Sequence, residues 1–168
     1  MNRKNFLSTV SLGMGGVLLT SNQLLSQTTK PPPLNGELVK AFVGAGHNDL
    51  EKVKQMLKEN PNLLYSMMDW GGGDFETALE GAGHVGDKEI ANYLISMGAR
   101  PNIFVLTMLG KTKIVTSLLE EFPALLNAKG PHGYTLLHHA ERGGTEAADL
   151  YSYLKVKGMT ETRISLFQ

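Results

Sequence analysis

The chain has 168 residues, 42% apolar and 19% charged, with 16 basic and 16 acidic side chains. That length fits one ordinary domain, and that apolar fraction excludes wholesale disorder. The charge balance argues against nucleic acid as a partner, and the absence of cysteine excludes disulfides, thiolate metal sites and a cysteine nucleophile.

Residues 1–36 contain no Asp or Glu. Arg3 and Lys4 come first, then a modest apolar run from Val10 to Leu19, broken by Gly13, Gly15 and Gly16. Polar residues and Lys30-Pro31-Pro32-Pro33 follow. Charged, apolar and polar zones in that order predict an export signal over 1–27. The run is short for a ~30 Å hydrocarbon core, so no stable membrane span is expected once the signal is removed. Asn2-Arg3-Lys4-Asn5-Phe6-Leu7 resembles the bacterial twin-arginine signal, with Lys4 where the second arginine belongs. The resemblance implies export to the periplasm, with the Sec route as the alternative. Residues 28–36 read as a stiff, proline-rich linker.

Beyond the linker the sequence repeats itself. Thr77-Ala78-Leu79-Glu80-Gly81-Ala82-Gly83-His84-Val85-Gly86 parallels Thr135-Leu136-Leu137-His138-His139-Ala140-Glu141-Arg142-Gly143-Gly144. A second amphipathic stretch follows the first unit through Ile90, Leu94 and Ile95, ending in Gly98-Ala99-Arg100-Pro101-Asn102. Thr135, Leu137, His138, Ala140 and Gly144 in one unit, and Gly86, Ile90, Leu94, Gly98, Ala99, Pro101 and Asn102 in another, resemble the ankyrin-repeat consensus. Two more degenerate units lie around Asn48–Leu57 and Gly110–Leu119. The resemblance implies an all-α solenoid of about four helix-turn-helix repeats over residues 37–160, with a tail at 161–168. Neither helix of such a unit can bury its apolar face alone, so the units must stack.

The markers Asn48, Gly86, Gly110 and Gly144 are 38, 24 and 34 residues apart. A regular array would space them by about 33. The long connections predict projecting fingers at 65–76 and 127–134, with no finger between the middle units. Helix layers ~8–10 Å apart would leave a slot of roughly 20 Å between the two fingers.

Asp69-Trp70-Gly71-Gly72-Gly73-Asp74-Phe75-Glu76 is the least ordinary stretch. It reads either as a recognition loop anchored by the single tryptophan or as a tight finger whose glycines supply positive φ. Trp70 to Thr77 and Gly130-Pro131-His132-Gly133 are similar to stretches of a bacterial family of unknown function, which implies a fold and no activity. His138 occupies the consensus histidine position, where the resemblance implies a structural hydrogen bond between layers. His84 with Glu80, and His139, invite a metal reading. The array is expected to hold these histidines in separate layers, so no metal and no cofactor is expected. Gly81 to Gly86 has a Gly-x-Gly-x-x-Gly spacing, but no strand precedes it, and the dinucleotide reading fails.

The sequence therefore predicts an exported scaffold that binds another protein on its concave face and fingers, and that catalyses nothing. Trp70, Asp74, Glu76, His132 and Tyr134 are the expected contact residues, with Phe104 flooring the slot. Two alternatives stay open. One is a small-molecule site at the Trp70 loop, with carbohydrate as a candidate ligand class. The other is a minor hydrolase using a histidine–carboxylate pair. Oligomeric state is not legible.

Overall fold

The computed structural model describes residues 30–167. The expected signal over 1–27, the first two residues of the linker and residue 168 of the tail lie outside them. Among the described residues the fold is mostly helical, as expected. Eight α-helices form four consecutive pairs: α1 (Gly36–Ala45) with α2 (Leu50–Glu59), α3 (Ala78–Val85) with α4 (Lys88–Ser96), α5 (Ile103–Met108) with α6 (Thr112–Glu121), and α7 (Leu136–Gly143) with α8 (Ala148–Val156).

Sequence chemistry starts most of these helices. Asn35, Asp49, Thr77, Asp87, Asn102 and Thr135 each accept a hydrogen bond from a first-turn N–H, satisfying a donor the helix cannot pair itself. Thr77 and Glu80 complete a reciprocal capping box. None of these helices is long and apolar enough to cross a membrane.

Packing runs from pair to pair. α1, α3, α5 and α7 touch in succession, while α2 rests on α4 and α6 on α8. Phe42, Val53, Ala82, Ile90, Leu94, Val105 and Met108 fill one core cluster, and Val115, Leu136, Leu137, Ala140, Leu150 and Leu154 another. Ala82 and Ala140 are almost fully buried, consistent with small residues allowing close helix approach.

The connections carry the site. Residues 60–77 join α2 to α3 and 122–135 join α6 to α7, whereas only 97–102 separate α4 from α5. The first long connection holds a hairpin of β1 (Met68–Asp69) and β2 (Phe75–Glu76), antiparallel, with Met68 opposite Glu76 and Asp69 opposite Phe75. Gly71, Gly72 and Gly73 close it, all with positive φ, which side chains rarely adopt. The second connection ends in a tight turn at Pro131–Gly133. The long connections and the short middle one are thus where the spacing put them, though only the first forms a hairpin; the second, called the second finger below, is built of 3-10 turns.

The open slot is not there. α5 is only six residues long, and α3 contacts α7 as well as α5. The second finger consequently folds onto the first, and His132 meets Asp74 at 2.7 Å. The expected gap of about 20 Å rested on helix spacing alone and left out the Asp74–His132 bonds that join the two connections.

Candidate functional site

Strand alternation decides which finger residues face inward. On a hairpin, side chains at every second position share a face. Met68, Trp70, Asp74 and Glu76 form one face, turned toward the helices, and Glu76 is fully buried while Asp74 is nearly so. Met67, Asp69 and Phe75 form the other and are exposed, except that Asp69 also accepts the Gly71 and Gly73 N–H groups with Oδ1. Glu76 lies one residue before the Thr77 cap of α3, so the capping box fixes where its side chain enters the interior.

Around Glu76 stand three histidines from three elements. His47 lies in the turn after α1, His84 on the last turn of α3 and His132 in the second finger. Their Nε2 atoms lie 3.6, 2.8 and 3.5 Å from Glu76 Oε1, and the Nε2 atoms of His47 and His84 are 3.0 Å apart. These four ligand atoms all fall within 4.8 Å of one another. The other carboxylate oxygen is used: Trp70 Nε1 donates to Glu76 Oε2 at 2.8 Å. Oε1 has no hydrogen-bond partner of good geometry, although His84 Nε2 lies 2.8 Å away. Burial works against the charge on Glu76, but His84, His47 and the Trp70 indole outweigh it and hold the carboxyl below its ordinary range.

Neighbouring groups set the imidazoles. His47 Nδ1 faces the carbonyls of Val43 and Gly44 at 3.1 and 3.2 Å. His132 Nδ1 faces Asp74 Oδ2 at 2.7 Å, and the His132 amide donates to Asp74 Oδ1 at 2.8 Å. Carbonyl and carboxylate oxygens only accept, so Nδ1 carries the proton in both rings. In neutral rings each Nε2 then presents a lone pair toward Glu76. His132 also has φ 58°, the only positive φ outside glycine among the described residues. Such a conformation is held by its surroundings, here Asp74 and the tail.

The tail pins this finger. Arg163 Nε donates to the His132 carbonyl at 2.8 Å and Ile164 N to that of Gly133 at 2.8 Å. A Cβ on Gly133 would strike the Ile164 carbonyl, so the turn requires glycine. Tyr134 stacks against His84 and His138, ring centroids 5.1 and 4.0 Å away. It forms a wall of the site.

The expected contact residues divide accordingly. Trp70, Asp74, Glu76, His132 and Tyr134 do come together, but largely by facing one another. Glu76 and Asp74 are buried and cannot meet a macromolecule, because alternation turns them inward. Phe104 is buried too, packed against His139 under the second finger rather than flooring a gap. Glu80, expected opposite His84, is taken up by Thr77 and by Asn102 Nδ2 at 2.7 Å. His139 lies outside the group, its Nδ1 donating to the Thr135 carbonyl at 2.8 Å. His138 makes the interlayer bond expected of it, Nε2 to the His84 carbonyl at 2.8 Å.

His139 lies apart from this group, but the expectation that no shared metal site forms left out His47 and His132, which meet His84 at Glu76. It treated the fingers as independent, whereas α3–α7 contact and finger closure bring them to one point. His47 had no sequence signal beyond being a histidine after a helix; its role depends on the stacking of α1 on α3. Comparison with family models, curated proteins and solved structures finds no match.

Proposed function

We propose that this protein is an exported ankyrin-repeat scaffold, not an enzyme, that docks another protein on the outward face of its first finger. The stacking of four helix pairs with finger connections and the consensus-like role of His138 support the repeat reading. The charged, apolar and polar zoning of residues 1–36 supports export. One observation carries the docking face. Met67 and Phe75, on the outward side of a hairpin locked by Asp69 and three glycines, are each 52% exposed.

Tyr65 and Met67 border a groove that continues past Leu79 and Ala99 to Arg100. The Arg100 guanidinium lies 5.6 Å from the Tyr65 ring centre. Aromatic and methionine side chains ringed by a polar rim and an arginine are the usual anchors of a protein interface. Preordering the finger lowers the entropy lost on binding. Trp70 lies on the opposite, inward side of the hairpin, where its indole N–H is engaged by Glu76.

The test is capture. The full chain is immobilised, exposed to cell-envelope extract of the producing organism, and compared with a Met67→Ser/Phe75→Ser double variant by mass spectrometry. A protein retained by the parent and lost by the variant is the expected result. An empty parent lane, or equal retention by both, would overturn this docking face.

A further inference from the structure

We propose that His47, His84 and His132, through Nε2, and Glu76, through Oε1, bind one zinc-class divalent ion in a closed, four-ligand site that clasps the two fingers. This goes beyond the docking reading and does not depend on it.

Geometry is the first argument. Zinc–nitrogen and zinc–oxygen bonds near 2.0–2.1 Å in a tetrahedron place ligand atoms about 3.3–3.4 Å apart. Four of its six edges here, 2.8, 3.0, 3.5 and 3.6 Å, straddle that value. No pair exceeds 4.8 Å, so an ion closes the widest edge by side-chain adjustment alone.

Ligand preparation is the second. A metal-binding imidazole needs a bare nitrogen inward and a fixed proton on the other side. Val43 and Gly44 carbonyls do this for His47, and Asp74 does it for His132. The Asp74–His132 pair matches the carboxylate–histidine arrangement that orients zinc ligands.

The third is the buried carboxylate. Glu76 Oε1 lies in the interior with no hydrogen-bond partner of good geometry, facing three ring nitrogens of which two present lone pairs. A buried carboxylate oxygen facing two lone pairs, with the remaining proton on His84 shared between it and His47, is incompletely satisfied, and a cation that displaced that proton would satisfy all four atoms. Nitrogen-rich ligation with one carboxylate, and no thiolate, suits zinc rather than calcium or magnesium. Four protein ligands leave no open position for a reacting water. Zinc here is structural, which agrees with a scaffold that catalyses nothing.

The purified full chain is stripped with chelator, then titrated with zinc chloride and, separately, cobalt chloride. Retained zinc is counted per chain after dialysis. One zinc per chain is expected, with the intense visible absorption of four-coordinate cobalt, displaced by zinc. Glu76→Gln, His84→Ala and His132→Asn should each lose the bound ion. Asparagine tolerates positive φ, so His132→Asn removes the imidazole without straining its turn. Asp74→Asn should keep the stoichiometry and weaken affinity by roughly 10–100-fold. His139→Gln should bind as the parent does. Circular dichroism of each variant separates lost ligation from lost folding. No stoichiometric zinc in the parent, retention by folded His84→Ala and Glu76→Gln variants, or the weak spectrum of six-coordinate cobalt would each overturn the proposal.

Discussion

His139 shows how a single side chain ties stability to pH. Burial beneath Phe104 lowers its pKa from 6.5 to about 4, and the nearby His138 and His84 add to that, while the bond to the Thr135 carbonyl opposes it. His138 is shifted the same way, again chiefly by burial. A histidine held neutral by the fold takes up its proton more readily when unfolded. Between pH 6.5 and about 4 the unfolded chain therefore binds more protons, and stability falls as pH falls through that window. The slope from one such group is at most about 1.4 kcal/mol per pH unit. Urea unfolding of the chelator-treated parent at successive pH values should show this loss. His139→Gln, which keeps a donor for Thr135, should flatten it; parallel curves for parent and variant would contradict the assignment. Glu76 acts in a different window. Its lowered pKa gives stability present above the ordinary carboxyl range and lost only as pH falls through its folded value.

At the scale of elements, the junction of β2 with α3 is decisive. Thr77 caps α3, Glu80 returns the bond, and Glu76 enters the interior immediately before them. Thr77→Ala should cost about 0.5–2 kcal/mol, read by chemical denaturation, and Thr77→Ser should restore most of it because the hydroxyl is what the cap uses. A Ser variant as unstable as Ala would show that the methyl group's packing, and not the cap, matters. The helix pairs and the two long connections were legible because each rests on local chemistry: repeated marker residues, 3.6-residue periodicity, glycine and proline at turns. Which hairpin residues face inward was not. One step of register exchanges Glu76 with Phe75, and a two-residue strand has no alternating pattern long enough to fix the phase. Hence Asp74 and Glu76 read as outward contacts, while Met67 and Phe75, the exposed pair, went unnoticed.

At the scale of the molecule, the site exists because distant segments meet. His132 and Asp74 are 58 positions apart, and His47 and His84 are 37 apart. No spacing rule links such positions; their approach follows from the short α5, the contact of α3 with α7 and the tail laid along the second finger. The doubled bond from His132 to Asp74 is then the protein's own tie between fingers, present whether or not an ion is bound. Both side chains are mostly shielded, at 24% and 11% exposure, so solvent screens the pair only partly. Bonds to a charged partner in such settings contribute about 1.5–3 kcal/mol. A double-mutant cycle on Asp74→Asn and His132→Asn, run with chelator present, should return a coupling energy of about 1–2 kcal/mol. Additive losses would mean that the fingers close without this contact. In that case the tail bonds to the His132 and Gly133 carbonyls hold the second finger in place, and removing Arg163 should open the site more than removing Asp74 does.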